Sequence, residues 1–221
     1  MRGTRVELPG TPLLDPNRSV DGERTLTVLH PIPVSSDGLD LHVENRCLGA
    51  WDRGSNLIVE HEAELVDKNT GKVYCKMHNL GVGMKQGGIG GPRGPDRPTV
   101  LPPQRQPDAI IETPLAQEVA YLYRLCGDYN PLHADDEFGR RAGFKEHILQ
   151  GLGTWNFVAV EILRKFGASD PARFKKFGAR FRSPVYAGDV LVTEAWKAGS
   201  EEGYDQIIFQ TKIKSDGRIA L

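Results

Sequence analysis

Apolar and polar positions alternate along "LDLHVENRC", with Leu39, Leu41 and Val43 on one side and Asp40, His42 and Glu44 on the other. That two-residue period predicts a strand with one covered face. "NLIVEHEAELVD" predicts a second strand, and "KNTGK" a hairpin turn with Gly71 as its flexible point. "VYCKMHNLGVG" returns as the partner. Residues 1–22, rich in Pro, Gly and Asp, show no helical period and read as an extended arm. "KQGGIGGPRGPDRPTVLPPQRQP" is dense in Gly and Pro and reads as a linker over residues 85–108.

The pattern then changes period. Thr113 is an N-cap candidate and Pro114 suits a first helical position, with Leu115, Val119 and Leu122 on one face and Gly127 as the stop. A short helix is predicted from Asp136 to Ala142, ended by Gly143. A longer one carries Leu152, Trp155, Ala159 and Ile162 at helical spacing and stops at Gly167. "ARFRSPVY", "DVLVTEAWKAG" and "DQIIFQTKIK" read as closing strands. The order of strands, linker, helices and strands predicts an α+β fold with sheet wrapped around helix. The chain divides into residues 23–84 and 109–221, on either side of the linker.

Composition adds limits. The 221 residues are 39% apolar, enough for a core, and the formal net charge of -1 favours neither nucleic acid nor an anionic membrane as partner. Cys47, Cys75 and Cys126 form no CxxC pair and no ligand spacing, as expected of reduced thiols inside a cell. No apolar run approaches the roughly 18 residues needed to span a bilayer. "MRGTRVELPGTPLLDP" lacks the apolar core of a signal peptide, and Ile219-Ala220-Leu221 is not a peroxisomal Ser-Lys-Leu address.

Candidate chemistry centres on "GDYNPLHAD", residues 127–135. Asp128 and His133 are five apart across Asn130-Pro131, a pair that favours a tight turn. A carboxylate beside an imidazole can handle one water: one group accepts a proton while the other orients or donates. Gly151, in "ILQGLGTW", stands near the start of the long helix. Backbone N–H groups there are unpaired, and a glycine lets a substrate oxygen approach. Other readings stay open. Gly-Asp and Asn-Pro between helices also describe a plain turn. His133-x-Asp135 is half a metal site with no second cluster. "GGIGGPRG" lacks the Lys-Ser/Thr of a phosphate loop. His30, His42, His61 and His78 read as surface or packing residues, and Trp51, Trp155 and Trp196 as core.

"YRLCGDYNPLHAD", followed by "AGF", "ILQGLGT" and "ARFRSPVYAGD", resembles the hydratase 2 family, the (R)-specific 2-enoyl-CoA hydratases of the MaoC-like group. This group includes the hydratase domain of peroxisomal multifunctional enzymes. "VLHPIPV", "WDRGS", "GKVY" and "GGIGG" resemble the first half of its two-repeat form, so the likeness covers nearly the whole chain. The resemblance implies a double hot-dog fold and the reversible hydration of trans-2-enoyl-CoA to (3R)-3-hydroxyacyl-CoA. It implies Asp128 and His133 as the catalytic pair, leaving open which is the base. It implies Asn130 as the residue ordering the loop, Gly151 as the oxyanion donor, and Gly22, Arg53 and Phe181 as acyl-CoA contacts. No metal or redox cofactor is implied, since acyl-CoA is the substrate. A peroxisomal location is implied too, although the missing tripeptide leaves a cytoplasmic one open.

Three departures accompany the likeness. Gln150 stands where relatives have a His before the oxyanion glycine. Asp21-Gly22-Glu23 replaces a His-Gly-Glu stretch whose histidine contacts ligand, and both ends look short. Before "RTLTVLHPIPV" no apolar set occurs at 3.6 spacing, so the first repeat is expected to lack its helix and to be poorly packed alone. A homodimer or a partner chain is then expected to cover it. The competing expectation is an acyl-thioester-binding protein without turnover.

Overall fold

A computed structural model describes residues 14–15 and 18–221. It divides into two compact units, Met1–Arg97 and Pro98–Leu221, with the boundary inside the Gly/Pro-rich stretch. Most of the expected arm lies outside the described residues. Its last part is not arm: Ser19 already begins a strand and pairs with Gly83.

Unit 1 is an antiparallel sheet of β1 (Ser19–Val28), β2 (Leu41–Asp52), β3 (Leu57–Asp67) and β4 (Lys72–Gly83), in the order β2-β3-β4-β1. The β3–β4 turn forms because Asp67, 1% exposed, accepts hydrogen bonds from the Thr70 hydroxyl at 2.7 Å and from the Asp40 and Asn69 N–H groups at 3.1 Å. Gly71 completes the turn with φ +72°, a conformation that costs glycine little. Register places Leu57, Val59, Ala63 and Leu65 on one face with Met77 and Cys75, and Leu26 and Val28 extend that face. Glu60, Glu62 and Glu64 take the other face with Arg46, Lys76 and His78. The alternation in β2 does not end in burial, because Val43 is 63% exposed on this edge strand.

The glycine-rich stretch is not a free linker over its first part. Asp52 at the end of β2 accepts N–H bonds from Gly54 at 3.0 Å and from Gly88 and Gly90 at 2.9 Å. The Gly88 bond above all holds the Asp52 carboxyl below its usual range. The Asp52 N–H in turn donates to Pro92 O at 2.8 Å. Backbone amides that composition marks as flexible are fixed here by one carboxylate.

Unit 2 contains β5 (Ala109–Pro114), β6 (Lys176–Arg180), β7 (Val190–Glu201) and β8 (Tyr204–Ile213), with β5-β7-β8 as an antiparallel sheet. Its helices are α1 (Val119–Arg124), α2 (Asp136–Arg141) and α3 (Gly151–Gly167). The α3 pattern becomes a buried face of Trp155, Val158, Ala159 and Ile162. The Trp155 ring meets Phe177 edge-on at 4.6 Å, and Phe177 stacks on Phe209 at 5.0 Å. Ala220 and Leu221 fold back on β8 and are buried.

Two helix ends differ from the sequence reading. Thr113 and Pro114 do not start a helix; they close β5, where Pro114 pairs with Val190. The alternation Ala109-Ile110-Ile111-Glu112, buried and exposed in turn, decides for strand, and α1 starts only at Val119. Gly167 is the last helical residue, and the left-handed turn falls on Ala168 with φ +54°. Among the described residues unit 1 holds no α-helix. No helix among them is long and apolar enough to cross a membrane.

Candidate active site

The loop after α1 is built from short side-chain-to-backbone bonds. Gly127 follows α1 with φ +107°, where a Cβ would be strained. Asp128 Oδ1 accepts the Asn130 N–H at 3.1 Å, and Asn130 Oδ1 accepts the Leu132 N–H at 3.1 Å. Asn130 thereby caps the 3-10 turn Pro131–His133, whose proline supplies a fixed φ. Arg124 Nη1 donates to Asn130 O at 2.8 Å and ties the loop to α1. Asp135 then caps α2 through the Glu137 and Phe138 N–H groups.

The loop delivers His133 to the interior, 8% exposed, while the Asp128 side chain stays 45% exposed. His133 Nε2 lies 3.6 Å from Asp128 Oδ2, longer than a hydrogen bond and short enough for both to meet one water. The other ring nitrogen, Nδ1, is 2.8 Å from Ile148 O. A carbonyl only accepts, so Nδ1 carries the proton. In neutral His133 the lone pair is therefore on Nε2, toward Asp128. Sequence reasoning missed Ile148, because a backbone carbonyl has no residue signature. It also missed Arg124, whose only mark is a basic residue near the end of a helix.

Two residues after Ile148, Gln150 opens α3. It contributes no side-chain cap. Its side chain is buried instead, and Nε2 donates to Ala120 O at 3.3 Å. Gly151 is thus the first helical residue, and its N–H points out of the positive end of a 17-residue helix. A Cβ on Gly151 would stand 3.3 Å from the Phe181 ring. Unit 2 therefore brings Asp128 to His133, with Asn130 ordering the loop, and Gly151 to Phe181.

Gly22 and Arg53 belong to unit 1. Gly22 sits at a bulge in β1 where a Cβ would come within 2.6 Å of the Val82 side chain, so close packing of strands accounts for it. The neighbouring Asp21 pairs with Arg24 at 3.2 Å. Arg53 Nη2 donates to Pro95 O at 2.5 Å, and Nη1 lies 3.6 Å from Asp96.

A model of the MaoC-like domain family matches residues 99–218. A probable dehydratase, NIT22, of Ajellomyces capsulatus is 36% identical over 219 residues, covering 93% of this chain and 58% of its own length. A probable enoyl-CoA hydratase 2 of Dictyostelium discoideum is 34% identical, covering 94% of this chain and 69% of that protein. The chain thus spans only part of the length of these relatives. The crystal structure of a MaoC-like dehydratase from Phytophthora capsici superimposes with a TM-score of 0.82 at 28% identity, over 97% of this chain and 70% of that one. A Mycobacterium tuberculosis protein with a double hotdog fold aligns with a TM-score of 0.61 at 15% identity, over 93% and 74% of the two chains. The fold here is a double hot-dog, antiparallel sheets with one main helix.

Proposed function

The chain belongs to the MaoC-like domain family, and on that premise we propose that it hydrates trans-2-enoyl-CoA to (3R)-3-hydroxyacyl-CoA and catalyses the reverse dehydration. The observation that carries the reading is the direction of His133 Nε2, held toward Asp128 at 3.6 Å with the Ile148 carbonyl fixing the other ring nitrogen.

Hydration adds one hydroxyl to C3 and one proton to C2, both from the same water. Asp128 accepts one O–H of that water and aims it, while His133 Nε2 takes the other proton. A carboxylate has no proton to give, so the imidazolium just formed delivers that proton to C2. One imidazole thus carries the proton in and out, and the balance closes without a metal or redox step. This assigns the base to His133, a choice the sequence leaves open. As C3 is attacked, charge builds on the thioester oxygen. The Gly151 N–H, at the positive end of α3, receives it. Phe181 limits the room beside that donor.

A second reading, thioester binding without turnover, is favoured by Arg53. The side chain expected to meet acyl-CoA is engaged by Pro95 O and Asp96. Incubating the purified chain with crotonyl-CoA and a longer trans-2-enoyl-CoA, with loss of enoyl absorbance followed and the product resolved by chirality, separates the two. Hydration to the (3R) product supports the enzyme. Tight binding of both esters without product supports the second reading.

A further inference from the structure

A second histidine–carboxylate pair lies beside the first, and the sequence reading did not use it. His147 Nδ1 is 2.5 Å from Asp136 Oδ1, and the His147 backbone N–H donates to the same oxygen at 3.2 Å. The ring is largely covered, its side chain 12% exposed, and it rests 5.1 Å from the Tyr121 ring. Its Nε2 is buried and has no hydrogen-bond partner among the described residues. Asp136 is therefore the polar anchor of this side chain. The pair also has close backbone support. A Cβ on Gly139 would stand 2.4 Å from Glu146 O, so α2 lies directly against the segment that carries His147.

The next residue is Ile148, whose carbonyl accepts from His133 Nδ1 and whose N–H donates to Leu132 O at 3.2 Å. We propose that Asp136 and His147 are positioning residues that hold the Ile148 carbonyl on His133 and so fix which ring nitrogen of His133 carries the proton. The catalytic importance of that tautomer rests on the hydration reading; the clamp itself does not. Only with Nδ1 protonated does neutral His133 present a lone pair to water at Nε2. A free imidazole favours the other tautomer, with the proton on Nε2, which would point a donor where a base is needed. Both bonds from His147 land on one oxygen of Asp136. An amide oxygen at that position can accept both, and a methyl can accept neither.

The test uses the full chain labelled with nitrogen-15, at a pH where His133 is neutral. Two-bond proton–nitrogen spectra read its tautomer, and kcat and KM are measured alongside. Wild type is expected to show Nδ1–H alone. Asp136→Ala should give a mixture with Nε2–H and lower kcat about tenfold, a fraction of the ~10²–10⁴ a positioned base supplies, with KM nearly unchanged. Asp136→Asn should restore both the spectrum and most of kcat. If Asp136→Ala does not fold, His147→Phe removes only the ring bond, and the same mixture is expected. An unmixed Nδ1–H signal in Asp136→Ala or His147→Phe overturns the proposal. So does an Asp136→Asn protein as altered as Asp136→Ala. A wild type that hydrates no enoyl thioester would sink the functional reading, while the spectra would still judge the clamp.

Discussion

The two sheets of this chain are both antiparallel, and they are held by different means. The unit 2 sheet is joined to a core that α3 fills with Trp155, Val158 and Ile162, while Phe177 and Phe209 stack nearby. Unit 1 has no α-helix among the described residues, and one face of its sheet is a lattice of charge. Glu60 is 7% exposed and accepts from Trp51 Nε1 at 2.7 Å, from His78 and from Arg97. Burial pushes its carboxyl up, but the bonds from Trp51, Arg97 and His78 outweigh that and hold it at about 2. Arg46 bridges Glu62 and Glu64, and Lys76 reaches Glu64 at 2.5 Å. The candidate water-handling residues lie in the helix-backed unit. An oxyanion donor needs a fixed helix end, and a paired loop needs a rigid support.

The largest effect should come from emptying the helix-backed core. Trp155→Ala should cost about 3–5 kcal/mol in denaturant unfolding. A loss below about 1 kcal/mol would mean that α3 is not the support of unit 2. Gly151→Pro tests the helix end with little change of fold. Proline suits a first helical position, and Gln150 already has φ -53° and ψ 135°, the region preferred before proline. Loss of the N–H should lower kcat about 10²–10³-fold with the melting temperature nearly kept. An unaltered rate would exclude that donor.

Glu60→Gln probes the charged face of the unit 1 sheet. The folded carboxyl is held at about 2 against an ordinary 4.5, so its contribution is present above 4.5 and fades as pH falls toward 2. Wild-type melting temperature should drop through that window, and the variant should start lower and fall less. Parallel curves would place the charge lattice outside the stability of unit 1. The smallest effect belongs to Val43, which is 63% exposed on the edge strand. Val43→Thr should change stability by no more than about 0.5 kcal/mol.

The sequence made some of this legible and hid the rest for physical reasons. Periodicity located α3, whose buried face runs from Trp155 to Ile162, and turn chemistry located the hairpin around Gly71. It misplaced the start of α1, because Thr113-Pro114 is a good helix opening unless the strand before it continues, and strand pairing with Val190 decided that. The loop motif showed which side chains stand near one another, Asp128 and His133, through Asn130 and Pro131. It could not show that Ile148 O chooses the tautomer, nor that the Gln150 side chain turns inward to Ala120 and gives α3 no side-chain cap. Those are backbone contacts, and composition carries no mark of them. The glycine run before Pro92 misled for the same reason, since Asp52 binds its amides.

The most direct test of the central claim is Asp128→Asn assayed for hydration of crotonyl-CoA beside wild type, with both proteins checked by circular dichroism. Asparagine matches the shape of Asp128 and keeps an acceptor oxygen, but it loses the negative charge that polarises the water and stabilises the imidazolium formed on His133. Wild type is expected to turn over, both proteins to give a native spectrum, and kcat to fall ~10²-fold or more in the variant. Near wild-type turnover by a folded Asp128→Asn protein would contradict it.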